Sequence, residues 1–285
     1  MKTKVTPIKT QGKKTKLIEH IRPLYETYSS GGIYLEPFMG SGAVGFNLAQ
    51  DKAIFSDNNP HLIAFYNAVK NNELNEYELY EYLISEGDRL RKLGDKHYKF
   101  IRERYNEDGS PLDFLFLNRS CFNGLMRFNK KGHFNVPFCK KDERFSKSYI
   151  TKIMNEVKWV KEKIDKHNWS FIKADFRDII SLCLDNDKVF IYLDPPYIDR
   201  NSNYYNSWTE RDEEDLFSLM KDFKGSFILS TWIGNEYRDN QHIKDKWSMF
   251  DVKKIEHHYQ VGAKTENRKP MIEGLFYKIN NKDRK

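Results

Sequence analysis

The sharpest chemical feature in this sequence is Asp194-Pro195-Pro196-Tyr197, which directly follows the apolar run Val189-Phe190-Ile191-Tyr192-Leu193. Each proline fixes its own φ and restricts the residue before it, so the turn is rigid. The Asp194 carboxylate and the Pro195 carbonyl can then both point at one amino group, and Tyr197 supplies a flat ring for stacking against a base. An aromatic amine is a poor nucleophile because its lone pair is delocalised. Two acceptors held at its hydrogens favour a pyramidal nitrogen and stabilise the positive charge that develops during direct attack on a sulfonium methyl. No covalent intermediate is needed, and none of Cys121, Cys139 and Cys183 sits in a nucleophile motif. Without context, the same tetrapeptide is compatible with a plain turn.

A second feature supplies context. Glu36-Pro37-Phe38-Met39-Gly40-Ser41-Gly42 reads as a glycine-rich turn between a strand and a helix, where the backbone can approach a ligand closely. It is neither GxGxxG nor a P-loop, and a tight turn without a ligand is the alternative. Asp57 follows the next strand, where a carboxylate can accept bonds from a ribose diol. Asp175 follows a third, and there a carboxylate or backbone group could face an adenine amine. Either aspartate is equally compatible with a helix cap.

These residues need an α/β frame to hold them. Leu17, Ile18, Ile21 and Leu24 recur at helical spacing within 13–27, with Pro23 a point of kinking or termination. Ile33-Tyr34-Leu35 predicts a strand, Ser41–Asp51 a helix and Ala53-Ile54-Phe55 a second strand, a tight β-α-β unit. Helical patterning runs through 61–106, fails between 107 and 148, and returns from Tyr149 to Lys166. Trp169–Ile172, Val189–Leu193 and Phe227–Ser230 predict strands, Glu210–Phe223 a helix, and Phe250–Tyr259 with Leu275–Ile279 a terminal pair of antiparallel strands. The middle third reads as an insertion closing over the α/β core.

Bulk composition is permissive. The 285 residues are 39% hydrophobic and 15% aromatic, enough for one substantial core plus a smaller inserted region. Lys and Arg total 48 against 41 Asp and Glu, a formal charge of +7 that suits a polyanionic partner but also ordinary solubility. Three scattered cysteines suggest neither a disulfide scaffold nor a zinc site. The basic start lacks an apolar h-region and no stretch approaches a membrane span. The expectation is a soluble protein of a reducing cytoplasm, with no membrane association.

The order EPFMGSG, Asp57, DPPY resembles the Dam-like adenine-N6 DNA methyltransferases of the D12 class, alpha group. Thr10-Gln11-Gly12-Lys13 resembles that family's first cofactor motif, without its tryptophan and with Gly12 and Lys13 carrying the match. Asn118-Arg119 through Phe138 is similar to the family's loop and recognition region near the DNA. The resemblance covers nearly the whole chain. It implies a Rossmann-like, S-adenosylmethionine-dependent methyltransferase core with a mixed sheet, built from 1–60 and 165–285, and an inserted, mainly helical target-recognition region at 61–164.

By this resemblance Asp194, Pro195, Pro196 and Tyr197 are catalytic. Gly12, Lys13, Glu36, Pro37, Phe38, Gly40, Gly42, Asp57, Asp175, Phe176 and Asp194 hold S-adenosylmethionine, and no metal is expected. Arg119, Asn123, Arg127, Asn129, Lys130 and Lys131 meet DNA, with Arg127 the strongest candidate for a base contact and Asn123 and Asn129 for shaping the loop. Residue types agree: the basic side chains, with Lys140, suit phosphates or guanine, the amides suit base edges, and Phe122, Phe128 and Phe134 suit packing or wedging. The polar, aromatic run Asp199–Tyr205, including Tyr204, is expected to cover a base extruded from the duplex. The segment His257–Arg268 suits either a hairpin reaching the DNA backbone or a solvated loop.

The implied reaction is site-specific methylation of adenine N6 in double-stranded DNA, with a restriction–modification system the first setting to consider and repair or replication marking and a phage role the alternatives. A cognate restriction endonuclease would act on the same site without a stable complex, the enzyme itself being a monomer. GATC is the first recognition sequence to consider. Methylation of cytosine N4 is the nearest rival, followed by methylation of glutamine or RNA and by an inactive DNA-binding relative. Asp before the proline pair, the motif order and the Asn118–Phe138 segment favour adenine.

Overall fold

The structure, a computed structural model, describes residues 2–28, 32–50, 52–197, 208–234, 240, 243, 246–258 and 270–280. Its centre is a seven-stranded sheet of order β3-β2-β1-β4-β5-β7-β6. The strands are β1 (Ile33–Glu36), β2 (Lys52–Asp57), β3 (Asn168–Lys173), β4 (Val189–Leu193), β5 (Ser226–Gly234), β6 (Asp251–His258) and β7 (Pro270–Lys278). The first five are parallel, while β7 runs antiparallel to both β5 and β6. This is the mixed, Rossmann-like α/β sheet expected of a methyltransferase core.

The burial of β4 explains its place at the centre. All five of its residues are buried, and because side chains alternate across a strand they serve both faces. Phe190 and Tyr192 join one apolar cluster, with α1 (Ile18–Glu26), α2 (Ala43–Leu48), α3 (Pro60–Lys70) and α7 (Lys147–Lys166). Val189, Ile191 and Leu193 join the other, with α8 (Phe176–Ser181) and α9 (Glu210–Asp222).

Between α3 and α7 lie α4 (Glu76–Leu93), α5 (Asp95–Asp108) and α6 (Pro111–Ser120), so the middle third is largely helical. Arg104 grips both oxygens of the buried Asp113, at 2.8 and 2.6 Å, tying α5 to α6. The failed periodicity of 107–148 conceals α6. Its residues 113–120 are all buried, and a helix apolar on nearly every side shows no amphipathic stripe. At the N-terminus the helix begins at Ile18 rather than at residue 13, and Pro23 lies inside it without ending it. The helix after the glycine turn is shorter than Ser41–Asp51, and Asp51 lies outside the described residues. So do Asp199–Tyr205, Tyr204 included, and 259–268 of the segment beginning at His257.

Candidate active site

Parallel strands deliver their C-terminal ends to one edge of the sheet, and ligands of open α/β folds bind there, where the strand order reverses. Here the reversal lies between β1 and β4, which are hydrogen-bonded neighbours. The glycine turn follows β1, Asp57 ends β2, Asp175 follows β3 and Asp194 follows β4. Four separate motifs therefore converge on one crevice.

In the turn, Gly40 and Gly42 have φ of +48° and +67°, a region that favours glycine. A Cβ on Gly40 would meet nothing within 4 Å, so the turn opens onto space. Asp57 fixes it: Oδ2 accepts the Gly40 N–H and Oδ1 the Asn59 N–H, each at 2.9 Å. Burial pushes the Asp57 carboxyl up to about 6, with those backbone amides opposing the shift. Beside the turn, the Phe38 and Phe176 rings lie 5.3 Å apart, and Trp208, absent from the sequence-based expectation, packs within 5.5 Å of both. A buried carboxylate, an open glycine turn and aromatic faces fit the nucleoside part of S-adenosylmethionine.

Two expected cofactor residues have other partners. Glu36 is buried, and its Oε2 accepts the Tyr34 hydroxyl and the Gly45 N–H, each at 2.9 Å. It braces β1 against α2 from inside, burial holding its carboxyl well above the usual range. Asp175 caps α8 by accepting the Arg177 N–H at 2.9 Å and pairs with that guanidinium at 3.3 Å. The neighbouring Pro37 is buried at the turn.

At the end of β4 the Asp194 side chain is 26% exposed, and the lysine beside it is Lys14 rather than Lys13, its Nζ 3.4 Å from Asp194 Oδ1. Lys14 also donates to the Tyr197 hydroxyl at 2.5 Å. Its ammonium is 5.0 Å from the ring centre, so it sits beyond the hydroxyl rather than on the face where a base would stack. Burial pushes the Asp194 carboxyl up to about 6 despite the opposing pull of Lys14. Pro195 is buried and Pro196 partly so, in keeping with a fixed turn. Gly12 is exposed in the turn ahead of α1. Lys13 has Arg119, Glu156, Lys9 and Lys152 as charged neighbours, a group separate from that around Lys14. Adjacent lysines after a turn look alike in sequence. Only the fold shows which one enters the crevice.

The expected DNA-facing residues divide. Asn123, Arg127, Lys130 and Lys131 are exposed, within a segment closed by pairing of Cys121 with Phe138 and, around Lys130 and Lys131, of Phe128 with Phe134. Both phenylalanines are buried, Phe128 stacking on His61 at 4.3 Å, whereas Phe122 is 49% exposed. Asn129 shapes the loop, its Oδ1 accepting the Lys131 and His133 N–H groups at 2.9 and 3.0 Å. Arg127 donates to the Asn135 side chain and carbonyl at 2.8 and 3.0 Å, which fixes its guanidinium near the surface. Arg119 departs from the expectation. It is buried, bonded to Glu156 at 2.9 Å and to the Pro7 carbonyl at 2.8 Å, because it anchors the N-terminal segment to the helices.

Residues 11–261 match the model of the D12 class N6 adenine-specific DNA methyltransferase family. The chain is 31% identical to the type II methyltransferase M.MjaIII of Methanocaldococcus jannaschii, across 94% of this chain and 96% of that protein. It is 34% identical to a DNA adenine methylase of Vibrio cholerae serotype O1 across 86% and 85%, and 32% identical to one of Serratia marcescens across 74% and 76%. With DPPY at the switch-point crevice, a glycine turn beside it and a family match over most of its length, this chain belongs to the D12 class and is a site-specific adenine-N6 DNA methyltransferase that uses S-adenosylmethionine.

Proposed function

We propose that Asp194, Pro195, Pro196 and Tyr197 form the pocket for an adenine swung out of duplex DNA. The observation that carries this reading is the placement of Asp194 and Tyr197 at the end of β4, directly beside the glycine turn of β1. S-adenosylmethionine, when bound, supplies a methyl group activated by its sulfonium. Asp194 and the Pro195 carbonyl accept the N6 hydrogens and orient the nitrogen lone pair, while the Tyr197 ring supports the base. The Asp194 carboxylate also stabilises the positive charge that develops on nitrogen and can take up the proton released afterwards. A sulfonium methyl is already activated, so no metal enters the reading.

Phe38, Gly40, Gly42, Asp57 and Phe176 hold the cofactor directly in this reading. Asp175 contributes whatever acceptor capacity remains beside Arg177, and Glu36 acts through the backbone it braces. Gly12 and Lys13 stay in the segment that closes this side of the site. Residues 61–164 form the target-recognition region and the remainder the catalytic core, with α3 and α7 serving both because they pack on the sheet. The exposed Asn123, Arg127, Lys130 and Lys131 meet DNA, and contacts there offset the few kcal/mol of unstacking that base extrusion requires. Tyr204, with its neighbours after DPPY, covers the extruded base.

A restriction–modification setting is favoured by the likeness to a type II methyltransferase across almost the whole chain. The enzyme then acts in the cytoplasm as a monomer, and its partner endonuclease cuts the same sequence without forming a stable complex. Among the described residues no helix is long and apolar enough to cross a membrane. GATC is the first sequence to test.

Arg127→Ala tests the interface. A bidentate base contact is worth about 1–3 kcal/mol of discrimination, so the variant is expected to lose roughly 5- to 150-fold in preference at one position of the site. Sequencing of methylated DNA reads this directly. An unchanged motif methylated at an unchanged rate would remove Arg127 from base recognition.

A further inference from the structure

The cluster around Lys14 contains more charge than amine methylation requires. Lys14 and Glu273 have side chains 3% and 0% exposed, and Glu273 Oε2 lies 3.5 Å from the Lys14 ammonium. They come from opposite ends of the chain, Lys14 ahead of α1 and Glu273 within β7, where it precedes Gly274, Leu275 and Phe276. Removing an ammonium and a carboxylate from water carries a penalty of several kcal/mol per ion, which pairing only partly offsets. A core position filled by packing alone would hold an apolar residue. This pair instead abuts Asp194 and Tyr197.

We propose that Lys14 and Glu273 are a positioning couple that sets the charge and orientation of Asp194 and Tyr197 without touching the reacting amine. The proposal rests on the reading of Asp194 as the amine acceptor. Lys14 approaches Asp194 Oδ1 and leaves Oδ2 to accept an amine hydrogen, and by holding the Tyr197 hydroxyl it fixes the plane of the ring. An ammonium alone would oppose the positive charge developing on the amine. Glu273 behind it cancels that effect, so Asp194, Glu273 and Lys14 together carry a net −1. Among the described residues, the ionisable groups facing Asp194 include Lys14 from the N-terminal segment, Glu273 from β7, Tyr192 and Tyr197 from β4 and its turn, and Glu36 from β1.

The signs of the two charges give opposite outcomes. In Lys14→Met, Asp194 loses its attractive partner, and the acid limb of kcat moves to higher pH by about 1–3 units. In Glu273→Gln the repulsive partner is lost while an acceptor for Lys14 remains, and the limb moves to lower pH by about one unit. The double variant returns towards the wild-type limb. All are measured as single-turnover methyl transfer with DNA and cofactor saturating, alongside Asp194→Asn. A merely structural role would lower kcat and leave the limb in place.

A wild-type limb near pH 6 that vanishes in Asp194→Asn establishes the acceptor. With it established, limbs that stay put, or move the same way in both variants, overturn the couple alone. A limb that persists in Asp194→Asn overturns the acceptor and the couple with it. Should Lys14→Met fail to fold, the isosteric Glu273→Gln still decides, because only a downward shift supports the proposal.

Discussion

Asp194→Ala is expected to lower kcat for methyl transfer by about 10³-fold, with the Kd for DNA and for cofactor changing less than about tenfold. The difference follows from when the charge appears. In the ground state the adenine amine is neutral and the second acceptor, the Pro195 carbonyl, remains. In the transition state the nitrogen becomes positive, and Asp194, unlike the neutral Pro195 carbonyl, places an anion beside it. Alanine also leaves Lys14, 3.4 Å away in the wild type, without the Asp194 carboxylate, so the site gains relative positive charge when it most needs negative charge. Asp194→Asn keeps an oxygen acceptor but not the charge and should fall between wild type and Asp194→Ala. Equal losses in binding and in kcat would mean that Asp194 holds DNA or cofactor rather than serving the reaction.

Arg119→Ala is expected to destabilise the protein by about 3–5 kcal/mol, the range for breaking a buried ion pair by removing one partner. The guanidinium is 2% exposed, bonds Glu156 and the Pro7 carbonyl, and lies 4.9 Å from the centre of the Tyr149 ring. Alanine would leave the Glu156 carboxylate buried with its principal cation gone. Nearby, Asn118 makes two 2.8 Å bonds to the backbone of Lys9, so α6 and α7 jointly hold the N-terminal segment that delivers Lys14 to the crevice. A urea titration without DNA measures the loss. Unchanged stability combined with weaker DNA binding would return Arg119 to the DNA surface.

The parts of the site that depend on sequence neighbours were legible from residue types. Val189–Leu193 runs directly into DPPY, and Ile33–Leu35 into the glycine turn, so strand and chemistry were read together. The parts that depend on three-dimensional convergence were not. Lys13 and Lys14 differ only in the side of the chain they face, and Gly12 sets that register with φ of +73°. Glu273 did carry a signal: one carboxylate inside Met271–Phe276 must either face water or find a cation. Arg119 looked like a DNA contact because it shares a segment with Arg127, yet one ends a buried helix and the other sits on a surface loop. Residue type alone could not separate them. Phe128 and Phe134 turned inward while Phe122 stayed exposed, a division set by the loop's pairing rather than by composition.

The central claim is that the crevice at the end of β4 methylates an adenine amine in duplex DNA at one sequence. Its most direct test is transfer of label from S-adenosylmethionine to unmethylated double-stranded DNA, with the product read by single-molecule sequencing. N6-methyladenine confined to one short recurring motif is the expected result. Label on cytosine N4, or no label at all from protein shown to bind the cofactor, would contradict it.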